Sequence, residues 1–185
     1  MAEYEHIIHP FEPILTPTAR VLVLGSLPSK LSRENAFYYG NPRNRFWQVM
    51  ADILGKPVPD GIPEKTRLLT DAGIALWDVI AECDIRGSSD ASIRNARPIP
   101  LERVLGSCPI EAIFTNGKTA YRLFVRHLLA QAHEVPVYAL PSTSPANAAW
   151  SLERLTDAWR QALMPYLDRG QEQAAADASE DGTTA

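Results

Sequence analysis

The sequence predicts an α/β fold: one three-layer domain with a four-stranded parallel sheet between helices. Three observations carry this. Short apolar runs at 20–24, 74–80, 110–115 and 135–140 alternate with helical patterns, the arrangement that produces βαβ units and a parallel sheet. The first run, Val21-Leu22-Val23-Leu24, is unbroken, as expected of a strand buried on both faces. A chain of 185 residues fits one domain with a substantial core.

The elements follow in order. Residues 1–19 hold three prolines before Thr18 and read as an extended N-terminal arm, with His9, Pro10 and Phe11 tucked under the sheet. The first strand, 20–24, opens the domain assigned to 20–167. After a loop, a helix over 44–54 places Phe46, Trp47, Met50, Ile53 and Leu54 at helical spacing, which makes Trp47 a core residue. The Pro- and Gly-rich stretch 55–63 is a connection, 64–72 a helix ended by Gly73, and 74–80 the second strand. Residues 83–100 are polar and follow the carboxyl end of that strand, where ligands collect in open parallel sheets. A short helix at 101–107, the third strand at 110–115, a helix at 118–132, the fourth strand at 135–140 and a helix at 148–167 complete the domain. Residues 168–185 are acidic and rich in small residues, and are expected to be a disordered tail. The alternation does not fix the strand order.

Composition narrows the function. Hydrophobic residues make up 45% and charged residues 22%, ordinary for a globular protein. No apolar run approaches the roughly 20 residues that span a bilayer, and the first residues lack a signal pattern. The expectation is a cytoplasmic protein with no membrane partner. Cys83 and Cys108 are too few for a disulfide framework or a four-thiolate cluster, and no histidine pairs with them at zinc spacing, so neither metal nor cofactor is expected. The net charge is -4, and residues 168–185 alone hold five acids against Arg169. The remainder is about neutral, and a local basic rim can still bind phosphates. Gly117-Lys118-Thr119 imitates a phosphate-binding loop, but the glycine required five residues earlier is Ala112, so nucleotide hydrolysis is set aside.

The chemistry concentrates in residues 25–47. Gly25 and Pro28 force a tight loop after a buried strand. Asn41 and Asn44, then Lys30, Arg33, Arg43 and Arg45, and the run Phe37-Tyr38-Tyr39 follow within that stretch. Flat rings, cations and carboxamides crowded into one loop suit a nucleobase joined to a phosphate chain.

Two blocks here, Gly25-Ser26-Leu27-Pro28-Ser29 and Tyr38-Tyr39-Gly40-Asn41-Pro42-Arg43-Asn44-Arg45-Phe46-Trp47, resemble the first motif region of the uracil-DNA glycosylase superfamily. In its mismatch-specific branch the strand ends in Gly-Ile-Asn-Pro-Gly, and the asparagine helps to activate water. Leu27 occupies that place here. The pattern looks closest to the hypoxanthine-DNA glycosylase branch, with Gly-Ser-x-Pro-Ser and Phe-Tyr-Tyr-Gly-x-Pro-x-Asn-Arg-Phe-Trp. Over about 20–167 the resemblance implies strand order 2-1-3-4, with the cleft at the carboxyl ends of the central strands. It also implies a DNA-deoxyinosine glycosylase whose catalytic asparagine corresponds to Asn44.

Leu140-Pro141-Ser142-Thr143-Ser144 occupies the superfamily's second motif, with Leu140 in place of the usual polar residue. The resemblance implies a base-binding set of Leu27, Phe37, Tyr39 and Leu140, with Tyr39 stacking on a base taken out of the helix. Ser26, Ser29, Ser142, Thr143 and Ser144 are expected to donate to DNA phosphates, and Lys30, Arg43 and Arg45 to face them as cations. Asn44 can also be read as a helix cap. Asp78 and Asp84 are candidates for a general base or for structural pairing. No lysine sits at a catalytic position for Schiff-base chemistry. The expectation is therefore a small, monomeric, monofunctional enzyme that releases hypoxanthine from DNA carrying a deaminated base. A uracil or mismatch-specific glycosylase, and a non-catalytic nucleic-acid-binding module, are the alternatives. An enzyme acting on free nucleosides is a weaker third.

Overall fold

A computed structural model of the protein describes residues 3–87 and 89–180. In chain order the elements are β1 (Glu5–Ile8), β2 (Val21–Gly25), α1 (Lys30–Glu34), α2 (Phe46–Leu54), α3 (Ile62–Thr70), β3 (Ile74–Asp78) and β4 (Ile80–Ile85). They continue with β5 (Arg94–Pro98), α4 (Glu102–Leu105), β6 (Ala112–Asn116), α5 (Lys118–His127), β7 (Val137–Leu140) and α6 (Leu152–Glu180). Four strands form a parallel sheet in the order β3-β2-β6-β7, the expected 2-1-3-4 when these strands are numbered among themselves. Every residue of β2 and β3 is buried, as the unbroken apolar run of the first strand requires. Among the described residues no helix is long and apolar enough to cross a membrane.

Register decides what meets at the carboxyl edge. Gly25 pairs with Asp78 across β2 and β3, and Asn116 pairs with Leu140 across β6 and β7. The loops that leave these strands therefore start side by side. Helix α2 packs against α6, burying Phe46, Trp47, Val49, Met50, Ala51 and Ile53, and ends where Gly55 adopts φ 61°, a left-handed cap that glycine adopts without strain.

Several boundaries differ from the sequence reading. The polar stretch 83–100 is not a plain loop. After β3 only Val79 separates the chain from β4, which forms a second, antiparallel sheet in the order β1-β4-β5. Strand β5, Arg-Asn-Ala-Arg-Pro, is exposed or half-buried throughout, so it shows no apolar alternation for a sequence reading to find. Its pairings of Glu82 with Arg97 and Asp84 with Arg94 are cross-strand pairs of opposite charge.

Within the expected extended arm, residues 3–19 supply a strand and part of the core. β1 pairs with β4, Ile14 bridges to Leu76, and Ile7 and Ile14 are buried. Residues 30–34, expected as loop, form the short helix α1, capped by Ser29. Helix α2 starts at Phe46 rather than at residue 44, and the last helix starts at Leu152 rather than at 148. It runs on to Glu180, so the expectation of a disordered tail from residue 168 is corrected as far as Glu180. The alanine, glutamine and glutamate there are strong helix formers. Residues 181–185 lie outside the described residues.

Candidate active site

Gly25, Ser26 and Leu27, the aromatic loop before α2, the ends of β3 and β6, and the loop after β7 enclose one cavity of about 310 Å³. Gly25 is required by space, because a Cβ there would collide with Asp78 Oδ1 and stand 3.2 Å from the Tyr39 hydroxyl. Gly117, at φ 98°, lets the second loop approach, since a Cβ would lie 3.0 Å from Ser142 Cβ. That close approach, not a phosphate loop, accounts for the glycine before Lys118.

Asn44 is held in the cavity wall through its side-chain oxygen. Its Oδ1 accepts from Thr143 Oγ1 at 2.8 Å and from the Phe46 N–H at 3.0 Å. A bond to the first amide of α2, whose N-cap position is Arg45 and not Asn44, and the contact across the cavity thus coexist on one oxygen. Asn44 Nδ2 has no hydrogen-bond partner among the described residues. An amide held by its oxygen presents its N–H groups to whatever enters.

Thr143, fully buried, joins two loops. Asn116 Nδ2 donates to its hydroxyl at 2.9 Å, and its own N–H donates to Asn116 Oδ1 at 3.0 Å. The chain Asn116–Thr143–Asn44 ties the end of β6 to the start of α2. Asn116 lines the cavity and carries no motif signal in the sequence.

The aromatic run divides its roles. Tyr39 lines the cavity, with one ring face stacked on Phe46 at 4.1 Å between centroids. Its backbone sits at φ 51°, a left-handed conformation uncommon for a bulky residue and concentrated at functional sites. Burial, then the Asp78 charge, drives its hydroxyl pKa far above the ordinary tyrosine value, with Asn116 pulling the other way. Tyr38 is buried in the core and also touches the cavity wall, its hydroxyl donating to Glu12 O at 2.8 Å. Phe37 lies outside the cavity wall, stacked at 6.0 Å on Trp47.

The expected DNA-facing set separates as well. Ser26, Ser29, Ser142 and Ser144 line the cavity. The Ser29 hydroxyl is occupied in capping α1, accepting from the Ser32 N–H, and Ser26 donates to Asp90 Oδ2 at 3.0 Å. Lys30 and Arg43 are exposed outside the cavity, with Lys30 3.9 Å from Glu34.

Arg45 corrects the expectation of a phosphate-facing cation. Its guanidinium donates to the carbonyls of Ser144 at 2.8 Å, Asn147 at 3.1 Å, Thr143 at 3.4 Å and Trp150. It is committed to folding the second loop, and the Arg45 N–H adds a bond to Thr143 O at 3.1 Å. Leu27 lines the cavity. Leu140 does not; it is buried beneath a neighbouring groove that Lys118 and Trp150 also line.

Two carboxylates reach the cavity, Asp78 and Asp90. Asp84 does not: on β4 it is held by His6 at 2.8 Å and Asn95 at 2.7 Å, and those hydrogen bonds lower its pKa. Asp78 ends β3 and accepts from His9 Nε2 at 2.7 Å. Asp90 stands on the exposed rim, yet loss of solvation among the wall atoms raises its carboxyl pKa. The Ser26 hydrogen bond opposes this and the Asp78 charge adds to it. His9 was expected only as part of a segment under the sheet and Asp90 only as part of the polar stretch beyond the strand end; neither belongs to a motif, and both arrive through the antiparallel sheet.

Comparison with known proteins agrees with this geometry. The family model described as the uracil DNA glycosylase superfamily matches residues 13–167. A protein of Methanosarcina acetivorans named hypoxanthine DNA glycosylase is 32% identical over 148 residues, covering 78% of this chain and 90% of the relative. Its namesake in Methanosarcina barkeri is 30% identical over 158 residues, 83% of this chain and 96% of the relative. A solution NMR structure of an M. acetivorans protein, described as a candidate uracil DNA glycosylase, superposes with a TM-score of 0.71. Its sequence is 29% identical, and the match covers 82% of this chain and 93% of that one.

Proposed function

The chain belongs to the uracil DNA glycosylase superfamily, and from that premise we propose that it hydrolyses the N-glycosidic bond of deoxyinosine in DNA, releasing hypoxanthine. The observation that carries the reading is the Asn44 amide on the cavity wall, whose oxygen accepts twice and whose nitrogen has no hydrogen-bond partner among the described residues. A side chain fixed in this way is a donor. Leu27, where the mismatch-specific pattern has a water-orienting asparagine, can neither orient nor polarise a water. The chemistry of this site therefore rests on assisting the departing base. The names of the two curated relatives point to the same base.

In this reading the flipped nucleotide enters from the rim, and its base lies along the Tyr39 ring. As the C1′–N9 bond breaks, its electron pair moves onto the purine and the sugar gains oxocarbenium character. Asn44 Nδ2–H donates to an acceptor on the purine and stabilises the charge building there. A water oxygen bonds to C1′, one of its protons stays on the new hydroxyl, and the other passes to Asp90 and on to solvent. The departing base takes a proton, and an abasic site remains. DNA is the partner, and the chain works as a monomer without a cofactor.

Base release from duplexes carrying deoxyinosine or deoxyuridine, with the wild type and Asn44→Ala side by side, tests the proposal. Removing one such donor is expected to cost on the order of 100- to 1000-fold in rate. Hypoxanthine release that survives the substitution in a folded variant refutes the role of Asn44. Release of uracil alone refutes the substrate.

A further inference from the structure

One buried polar pair of the cavity has no task in that reaction. Asp78 is the last residue of β3 and His9 follows β1, so 69 positions separate them. Their side chains are only 6% and 4% exposed. His9 Nε2 donates to Asp78 Oδ2 at 2.7 Å, since an ionised carboxylate only accepts. The imidazole is itself held. Its Nδ1 lies 3.2 Å from the Phe11 N–H and 3.0 Å from Phe11 O, its ring packs edge-on against Phe11, and the His9 N–H donates to Ala81 O at 2.8 Å.

The other carboxylate oxygen has a different environment. Asp78 Oδ1 lies against Gly25, where no side chain intervenes, on the cavity wall that Tyr39 and Asn116 share. Among the described residues it has no hydrogen-bond partner. Because His9 occupies Oδ2, the carboxylate cannot turn away, and Oδ1 is a fixed acceptor at the floor of the cavity.

Deamination of adenine changes N1 from a lone pair to an N–H and replaces the 6-amino group with a carbonyl. An acceptor-only group beside N1 senses the first change. We propose that Asp78, clamped by His9, is a specificity-determining residue that accepts the N1–H of hypoxanthine and repels the N1 lone pair of adenine. The proposal rests on the cavity being the base pocket of a deoxyinosine glycosylase. Uracil offers the same acceptor its N3–H, so the pair sorts deaminated bases from their parents and does not sort purines from pyrimidines. His9 is a positioning residue, which makes the N-terminal segment part of the base pocket.

The experiment compares kcat/KM for duplexes carrying deoxyinosine and deoxynebularine, whose unsubstituted purine has a lone pair at N1. Wild type should favour deoxyinosine at least about 100-fold, because a site built to pair with an N–H rejects an analogue lacking it. In Asp78→Asn the amide oxygen stays with the His9 donor, so the amide N–H groups face the base. The ratio should then fall on the order of 100-fold or invert. His9→Leu should lower the ratio, and His9→Gln, which keeps a donor, should restore it.

An Asp78→Asn variant that loses activity on both substrates by one factor overturns the proposal and leaves the deoxyinosine reading intact. Equal wild-type rates on the two substrates overturn it whether or not the variant folds. Wild type that releases no hypoxanthine removes the deoxyinosine reading, and the proposal falls with it.

Discussion

Replacing Thr143 by valine keeps the volume and removes the hydroxyl through which Asn44 and Asn116 are joined. Thr143 is fully buried, so no water replaces what is lost. Asn116 Nδ2, half-buried at the cavity wall, loses its 2.9 Å acceptor, and a donor left unpaired there costs at most about 1–3 kcal/mol. At roughly 2–4 °C per kcal/mol for a chain of this size, Tm should fall by about 2–12 °C. Asn44 Oδ1 loses its 2.8 Å donor and keeps the Phe46 N–H. One of two anchors is gone, worth about 0.5–1.5 kcal/mol as a net hydrogen bond. Since 1.36 kcal/mol is tenfold in rate, the chemical step should slow by roughly two- to twelvefold, well short of deleting the Asn44 amide. Single-turnover hypoxanthine release with enzyme in excess reads that step, and circular dichroism melting reads the stability. Thr143→Ser retains the hydroxyl and should lose much less in rate. A folded Thr143→Val with an unchanged rate, or a serine variant as slow as the valine one, refutes the argument that this hydroxyl positions the amide.

Two further outcomes follow from the same geometry. Arg45→Ala should destabilise the protein by about 3 kcal/mol, a non-additive loss of charge-assisted bonds to four carbonyls, read as a Tm lower by roughly 6–12 °C. Its DNA binding should keep the wild-type salt slope, whereas loss of a phosphate contact would reduce that slope by about one. For Asp90 the raised pKa means that the proton-accepting form is lost, as pH falls, at a pH above the ordinary aspartate value of about 3.9. Single-turnover rates of the wild type should show an acid limb there, rising with pH, and Asp90→Asn should be slower and lack it. A limb that persists in the variant belongs to another group.

The central sheet was legible because burial on both faces leaves unbroken apolar runs, as in Val21 to Leu24, and the order 2-1-3-4 came from the resemblance. Asn44 was legible only through the motif around it. Asp90, His9 and Asn116 were not, for a physical reason common to all three: strand register or the antiparallel sheet brings Asp90 and Asn116 to the cavity wall and His9 onto Asp78. Strand β5, exposed or half-buried along its length, leaves no periodicity to read. Arg45 was legible as a residue and misread as a role, because a loop arginine and one that folds a loop look alike until the carbonyls around it are placed.

The two leucines at motif positions gain a meaning from the side chains that surround them. With Leu27 in the first loop and Leu140 buried below the second, neither loop supplies its polar group from the usual place. The polar chemistry lies between the loops, in the chain from Asn116 through Thr143 to Asn44, and Arg45 from the first loop closes the second over it. In the proposed reaction the donor Asn44 and the second loop therefore become one mechanical unit. A change at Thr143 or Arg45, though neither touches the base, should act on the chemistry, while Lys30 and Arg43 on the exposed surface should act on DNA affinity alone.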